Sequence, residues 1–375
     1  MMSEDRLGLY LHIPFCRSKC VYCDFPSYPG MDQWQSRVIE RMKEELRDKA
    51  FQLGHRKIST VYMGGGTPST LAPDLLNDLM QTARNEFPFA EDAEISIEMN
   101  PGTVTDEFLD AAQRSGFNRI SIGAQSADDR LLKLLGRIHS SDDICKTVAK
   151  IRSQGFYNFN LDMMIGLPDQ DLNDVTDTLQ CFLALKPTHI SCYSLIVEEG
   201  TRMFDRVQSG EAVLPDEDLE RAMYDTVRST LEKAGYHQYE ISNYALEGFE
   251  CRHNLDCWNR KEYLGIGAAA AGFIGNRRTR NAMSIIDYCN KVEPEVIELS
   301  ESDEMFESVM LGLRLTRGLS KNDFYERHHK DICQVYGAVI ERLIGQGLLT
   351  WDEEYLRCTK RGLDLQNMVL TEFLQ

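Results

Sequence analysis

The stretch Leu11-His-Ile-Pro-Phe-Cys16-Arg-Ser-Lys-Cys20-Val-Tyr-Cys23 carries three cysteines spaced C-x3-C-x2-C, directly after an apolar run. Thiolate is the ligand that iron–sulfur clusters take, and three thiols so close in sequence can bind one face of a cube. A [4Fe-4S] cube has four irons, so ligation by three cysteines leaves one iron open to a small molecule. The stretch therefore predicts a cluster site with an exchangeable fourth ligand.

Two alternatives to a cluster stay open for the three thiols. The first is a structural zinc ion, which would need a fourth ligand, usually in a paired arrangement. The nearest further candidate is Asp24, and no second C-x2-C follows in the chain. The second is that the three cysteines are unrelated to one another.

The composition limits the classes of function. The chain has 375 residues, with 41 basic against 59 acidic side chains, and a formal net charge of −18. Such an excess repels phosphate backbones and anionic membrane surfaces, so we expect no nucleic-acid partner. The start of the chain, Met1 to Arg6, has no apolar leader region, and no apolar run approaches the ~18 residues that a membrane span needs.

The remaining cysteines are scattered along the chain and lack any regular spacing. They are Cys145, Cys181, Cys192, Cys251, Cys257, Cys289, Cys333 and Cys358. Scattered thiols without a secretory signal are typical of proteins in a reducing compartment, where most of them act as small buried hydrophobic residues. The expected location is the cytoplasm.

Short β-rich runs alternate with amphipathic stretches from residue 7 to about 240, which is the pattern of βα units and a parallel sheet. The predicted strands are Leu9–Ile13, Thr60–Met63, Ile95–Met99, Arg119–Ile122, Asn160–Ile165 and Ile190–Leu195. The predicted helices are Trp34–Leu46, Leu75–Ala83, Asp106–Arg114, Asp128–Leu135, Ser141–Ser153 and Leu172–Leu185. Six βα units are too few to close an eight-stranded barrel. The sequence therefore predicts an α/β fold with a partial (βα)6 barrel of the TIM type.

Polar and glycine residues follow the predicted strands, where parallel βα folds place their ligands. Gly64-Gly65-Gly66-Thr67-Pro68 follows the second strand, and glycines there allow either a close approach of the backbone to a ligand or merely a tight turn. Four further side chains stand at or after later strands: Glu98, Gln125, Arg137 and Asp162. Each alone reads as an ordinary polar residue at a strand end, but together they can pair with amino, carboxylate and hydroxyl groups.

The cysteine spacing, with Tyr22 just before the third thiol, resembles the radical S-adenosylmethionine (SAM) superfamily. In that family the open iron binds the amino and carboxylate groups of SAM, and the aromatic residue lies near the adenine. The order of residues after the strands resembles the coproporphyrinogen dehydrogenase-like branch. That resemblance implies SAM contacts from these positions: Tyr10, Tyr22, Gly65, Gly66, Thr67, Glu98, Gln125, Arg137 and Asp162. His139 in Gly-Arg-Ile-His would be a supporting residue or a capping histidine.

The segment Cys251-Arg-His253-Asn254-Leu-Asp-Cys257-Trp258 resembles the His-Asn-x-x-Tyr-Trp motif of HemW, the heme-binding branch of this family. The resemblance implies that His253 helps to hold heme. Cys257 occupies the tyrosine position of the motif, and it could replace that contact, add to it or be unrelated. A second departure is the stretch Gly265 to Gly272, which lacks the His-Ser pair that relatives tend to have. The alternative for the whole segment is a packed loop anchored by Trp258.

The last part of the chain predicts a small helical and hairpin module. Met305, Val309 and Leu313 share one helical face, and a hairpin with the acidic turn Asp352-Glu-Glu354 precedes a final helix from Leu363 to Phe373. Winged helices often bind DNA, but residues 301–375 hold 9 basic against 13 acidic side chains. We therefore expect a packing or lid domain. The predicted divisions are 1–240 for the barrel core, 241–300 for the connecting segment and 301–375 for the winged-helix-like domain.

Two functions follow from these patterns, and the sequence does not decide whether the chain is an enzyme. The first is a heme chaperone that carries a SAM-ligated [4Fe-4S] cluster and passes heme to an unidentified acceptor, with possible homodimerisation. The second is a radical SAM oxidoreductase acting on a porphyrinogen. Phe25 stands where true coproporphyrinogen dehydrogenases have a further cysteine, only 15 residues precede Cys16, and the His253 segment is present. These three features favour the chaperone.

Overall fold

Six parallel strands, hydrogen-bonded to one another in sequence order, form the centre of the fold in the computed structural model, which describes residues 6–54 and 56–374. Their bounds are Arg6–Ile13 (β1), Lys57–Gly65 (β2), Phe89–Met99 (β3), Arg119–Gln125 (β4), Phe159–Ile165 (β5) and His189–Ser194 (β6). Each predicted strand lies at its expected place, so the predicted α/β fold with a partial parallel barrel is confirmed. Residues 1–5, which bear on the expected absence of a leader, lie outside the described residues.

The helices that follow these strands pack on the outer face of the sheet. They are Gln35–Leu53 (α1), Pro73–Glu86 (α2), Asp106–Arg114 (α3), Asp129–Leu134 (α4), Ser141–Ser153 (α5), Leu172–Ala184 (α6), Arg202–Gln208 (α7) and Glu217–Lys233 (α8). Local chemistry fixes several of their starts. Ser140 and Asp143 form a capping box at α5, and Thr105 caps α3 through the backbone N–H of Phe108.

Side chains alternate along every central strand, so the sheet has an apolar and a polar face. In β1 the outward residues Leu7, Leu9, Leu11 and Ile13 are fully buried in the core beneath the helices. The intervening residues face the inside of the partial barrel, where most of the other strands also place polar groups. These inward residues include Tyr10, His12, Thr60, Tyr62, Glu94, Ser96, Glu98, Arg119, Ser121, Asn160, Asp162, His189 and Ser191. The inside of the barrel is therefore lined mainly by polar and charged side chains.

The sheet continues past residue 240, which the sequence patterns did not predict. Tyr263–Ile266 (β8) pairs parallel with β1, and a short strand, Asn243–Ala245 (β7), pairs antiparallel with β6. Three further strands extend the β8 side as an antiparallel meander: Ala271–Ile274 (β9), Arg277–Arg280 (β10) and Glu295–Glu298 (β11). Two short helices belong to the same region, Arg252–Trp258 (α9) and Ile285–Cys289 (α10). The predicted divisions of the chain stay predictions.

The C-terminal part has its own core around a short hairpin, as the sequence predicted. Its elements are Glu301–Gly312 (α11), Lys321–His328 (α12), Ile332–Gly345 (α13), Leu349–Trp351 (β12), Tyr355–Cys358 (β13), Lys360–Asp364 (α14) and Gln366–Thr371 (α15). The final helix is interrupted at Leu365, whose φ of −114° and ψ of 28° are not helical. The interruption brings the Gln366 amide within 2.9 Å of the Leu313 carbonyl, at the end of α11. None of the described helices is long and apolar enough to cross a membrane.

Candidate functional site

A cavity of about 670 Å³ opens at the carboxyl ends of the central strands and reaches into the polar inside of the barrel. Eleven of the thirteen residues predicted to hold the cluster, SAM or heme line it: Cys16, Cys20, Tyr22, Cys23, Gly65, Gly66, Thr67, Glu98, Gln125, Arg137 and Asp162. Two do not, Tyr10 and His253. The structure therefore brings most of the predicted contacts to one place, although their cofactor roles stay predictions.

The three cysteines lie on a loop that is tied to the barrel by polar contacts at sulfur. Cys16 Sγ is 3.3 Å from Thr67 Oγ1, and Arg137 donates from Nη1 to Cys20 Sγ over 3.4 Å. All eleven cysteines of the chain are free thiols. Burial raises the pKa of Cys16 and of Cys23, so these thiols would keep their protons unless positive charge, such as that of bound iron, stabilised the thiolates.

The donor set fits an iron–sulfur cluster better than a single zinc ion. Among residues 6–54 and 56–374, no three His, Cys, Asp or Glu side chains are close enough to hold one metal ion together. A cube spreads three thiolates over three different irons, whereas zinc gathers its ligands at one centre. The three cysteine side chains lie on one cavity wall, and one of their sulfurs accepts a hydrogen bond from Arg137. This arrangement suits the cube.

The glycine run packs directly against the cysteine loop. Gly66 N donates to Ile13 O over 2.8 Å, and Thr67 N donates to Phe15 O over 2.7 Å. A Cβ at Gly65, where φ is +110°, would lie 2.5 Å from Cε1 of His12, so no other residue fits there without rearrangement. The turn therefore joins the cysteine loop to the end of β2 and keeps its backbone on the cavity wall.

Two carboxyl groups, those of Glu98 and Asp162, lie on the cavity wall, and the charge of Asp162 acts on Glu98. Glu98 accepts from Tyr62 OH over 2.8 Å and from Gly65 N over 3.2 Å. Burial, reinforced by the charge of Asp162, raises the pKa of Glu98 to about 7. Burial also raises the pKa of Asp162, which accepts from Asn160 Nδ2 over 2.6 Å. A cationic ligand, such as a protonated amino group, would stabilise the ionised form of both carboxyl groups.

Gln125 and Arg137 also lie on the cavity wall. Gln125 has a positive φ of 71°, and its side-chain oxygen accepts from Tyr193 OH over 3.0 Å. Strain of this kind at a cavity wall is typical of ligand sites. His139 supports the same wall from behind, because its Nε2 donates to Ala124 O over 3.2 Å, and burial lowers its pKa to about 4. Its position is that of a supporting residue.

Tyr10 and His253 lie behind the cavity in a stack of aromatic rings. Tyr62 stands between them, with ring centroids 6.4 Å from Tyr10 and 5.4 Å from His253. His253 Nδ1 is 3.0 Å from Thr60 Oγ1, and the side chain of Tyr263 meets the imidazole edge-on. Burial lowers the pKa of His253 to about 4, so the ring is neutral, which is the form that binds iron.

Helix α9 connects this stack to the cavity. The buried Glu94 carboxylate caps its first turn, accepting from Arg252 N over 3.0 Å and from His253 N over 3.1 Å. Asn254 and Trp258 from the same helix line the cavity. Cys257 does not line it, and burial raises the pKa of Cys257 to about 12.

Several charged residues on the cavity wall were not predicted as site residues, among them Arg119, Glu240 and Arg314. Arg119 alternates inward on β4 with Ser121, a period-two pattern that could have identified it. Glu240 and Arg314 meet there over 3.4 Å, although they come from distant parts of the chain. No local pattern marks either residue. Phe25 lies at the cavity and is 60% exposed.

Comparison with known proteins finds similarity over nearly the whole chain. The family model of the Radical SAM superfamily matches residues 10–182, and that of the HemN C-terminal domain matches residues 299–365. The chain is 35% identical to the heme chaperone HemW of Bacillus subtilis, over 97% of this chain and 98% of that protein. It is 36% identical to HemW of Escherichia coli, over 100% of both chains.

A mammalian protein and a solved structure extend the comparison. The mouse protein named radical S-adenosyl methionine domain-containing protein 1, mitochondrial, is 33% identical over 99% of this chain and 88% of its own length. Coproporphyrinogen III oxidase (HemN) from E. coli, described as a radical SAM enzyme, has a TM-score of 0.86 at 23% identity, covering 99% of this chain and 90% of its own. That likeness establishes a shared fold.

Proposed function

The chain belongs to the HemW family of radical SAM proteins, and from this membership we propose that it binds heme and transfers it to an acceptor protein. A [4Fe-4S] cluster held by Cys16, Cys20 and Cys23, with SAM as its exchangeable ligand, would belong to the loaded protein. The relatives named heme chaperones match the chain from end to end, and this supports the same role here.

The cavity residues support SAM as the exchangeable ligand. When bound, the cluster would offer an open iron to the amino and carboxylate groups of SAM and a store of one electron. The chain's own part is to position SAM: Gly66 and Thr67 present backbone beside the cysteine loop, and Glu98 offers a carboxylate to the amino group. Gln125, Arg137 and Asp162 would hold the rest of the molecule.

The observation that carries the heme proposal is the position of α9. This one helix presses His253 into the ring stack behind the cavity and places Asn254 and Trp258 on the wall that the cysteines share. Heme iron would reach the imidazole of His253 only when the rings that cover it move aside, since the residue is 5% exposed. Loading of the cavity and exposure of His253 would thus be linked through a single element.

The rest of the proposal follows the family. The acceptor would be a protein that lacks heme and takes it from this chain. We propose the cytoplasm as the compartment, because none of the eleven cysteines, all within the described residues, forms a disulfide. Homodimerisation stays a possible feature of the loaded form.

Anaerobic purification followed by iron and sulfide analysis and hemin titration tests both cofactors together. We expect about four irons and four sulfides per chain and a Soret band that saturates at one hemin. Protein that takes up no hemin would contradict the chaperone proposal. Steady release of 5′-deoxyadenosine from SAM in the presence of a reductant and a porphyrinogen would instead identify an oxidoreductase.

A further inference from the structure

The inner part of the cavity has a wall that none of the proposed cluster or SAM contacts occupies. Arg119 from β4, Trp258 from α9 and Arg314, just after α11, line it. The guanidinium of Arg314 lies 4.4 Å above the ring of Trp258, which holds the two side chains together. These three residues come from three separate segments and meet only in the folded chain.

This wall carries hydrogen-bond donors that have no acceptor. Arg119 Nε, Trp258 Nε1 and Arg314 Nε are buried and lack a hydrogen-bond partner within the described ranges. Arg119 is 2% exposed, so bulk water does not satisfy its guanidinium. Buried polar groups almost always have a partner, and a group without one points to a missing ligand or water. All three atoms are N–H donors, so the missing group is an acceptor.

The carboxylates nearby are already engaged and leave Arg119 without a direct acceptor. Glu94 accepts from the backbone N–H groups of Arg252 and His253, and Asp162 accepts from Asn160. Glu240 accepts from Ser242 N over 2.7 Å and pairs with Arg314 Nη2. Arg314 Nε is left without an acceptor in the described part of the chain. Within the described ranges, these carboxylates therefore leave the three donors of the inner wall without a partner.

We propose that Arg119, Trp258 and Arg314 bind a carboxylate group of a second ligand, in addition to SAM. Guanidinium groups and an indole N–H match the lone pairs of a carboxylate, and burial strengthens such charge-assisted bonds. Two sources offer this chemistry, a propionate of heme and a free small dicarboxylate. The heme source rests on the proposed function, whereas the free dicarboxylate does not.

Calorimetric titration of the reconstituted full chain, saturated with SAM, separates the two sources. Hemin, hemin dimethyl ester and succinate are the probes, and Trp258→Phe, Arg314→Gln and Arg119→Lys are the variants. Trp258→Phe removes the donor and keeps the ring, so it tests the site even if an arginine variant folds poorly. Arg277→Gln, a surface arginine that is 61% exposed, is the matched control. Circular dichroism establishes that each variant is folded.

If a heme propionate is the ligand, hemin binds about tenfold more tightly than its ester, and Trp258→Phe and Arg314→Gln abolish that difference. If a free carboxylate is the ligand, succinate binds and the same variants weaken it about tenfold, while Arg277→Gln does not. Hemin bound as tightly as its ester, together with no succinate binding, would overturn the proposal and leave heme binding intact. Succinate binding that SAM abolishes would also overturn it, because the carboxylate would then share the SAM site.

Discussion

Thr60 Oγ1 lies 3.0 Å from Nδ1 of His253, and this contact joins the middle of β2 to the helix that carries the proposed heme ligand. The hydroxyl orients an imidazole that burial keeps neutral. Contacts of this kind fix the orientation and tautomer of histidines that bind metals, and their loss usually lowers metal affinity by about 10- to 100-fold. The pair therefore links barrel packing to the proposed heme ligand.

We expect Thr60→Val to weaken hemin binding by about tenfold and to lower the free energy of unfolding by about 1 kcal/mol. Valine keeps the shape of threonine and removes only the hydroxyl. Thr60→Ser keeps the hydroxyl and is the control, with hemin affinity close to that of the wild type. Hemin titration and urea unfolding provide the two measurements. Equal hemin affinity in both variants would show that the contact has no part in heme binding.

Replacement of any one of Cys16, Cys20 and Cys23 by serine should lower the iron content from about four per chain to below one. Serine removes the thiolate that each iron needs, and the remaining two ligands cannot hold the cube. Cys145→Ser, at an exposed thiol, is the control and should keep the iron. Iron and sulfide analysis after anaerobic reconstitution measures the effect. Stoichiometric zinc in the purified wild type would support the zinc alternative.

The affinity for SAM should rise as the pH increases from 6 to 8. Burial and Asp162 raise the pKa of Glu98 to about 7, and only the ionised carboxylate attracts the amino group of SAM. Glu98→Gln should bind SAM weakly and with little pH dependence across this range. Equilibrium dialysis at several pH values checks both expectations. A wild-type affinity that stays constant from pH 6 to 8 would exclude titration of Glu98 as the cause.

The same carboxyl group affects stability with a defined sign. Its folded-state pKa of about 7 is above the ordinary value of 4.5, so the folded chain holds a proton that the unfolded chain has released. Stability from this group is fully present below about pH 4.5 and is lost as the pH rises through about 7. Glu98→Gln should flatten this part of the pH profile in urea unfolding without SAM. If the free energy of unfolding of Glu98→Gln had the same pH dependence as that of the wild type, other groups would be its cause.

Glu94→Ala should lower the free energy of unfolding by at least about 2 kcal/mol, because buried donors at the start of α9 lose their acceptor. The carboxylate accepts from two backbone N–H groups there, those of Arg252 and His253. Glu91→Ala removes an exposed glutamate from the same strand and is the control. Hemin binding should fall only in Glu94→Ala, since α9 positions His253. A variant that unfolds like Glu91→Ala would show that α9 needs no cap.

The sequence allowed prediction of the strands and of most cavity residues, because both depend on local patterns. Period-two alternation and the strand ends bring Glu98 and Asp162 to one rim in any parallel βα fold. Strand β8 escaped prediction because Tyr263–Ile266 is short, contains glycine and pairs with β1 across a long separation in the chain. Arg314 escaped for the same reason, since only tertiary contacts place it beside Trp258.

The heme segment shows a different limit of sequence patterns. The residues of the motif were evident, but their directions were not, because one short helix sends His253 inward and Asn254 and Trp258 to the cavity. The Glu94 cap that sets this helix comes from β3, far away in sequence. Spacing within the motif therefore predicted candidate residues, and the fold determined which of them line the cavity.

Arg260 is 4% exposed and donates to Glu304 over 3.2 Å and to Glu307 over 3.1 Å, both on α11. A chain shortened before residue 301 would lose both counter-charges of this cation and leave its guanidinium to water. The shortened chain would also lack Arg314, which lines the cavity. The C-terminal segment thus forms part of the cavity wall. An isolated barrel would be open to solvent on the side of Trp258.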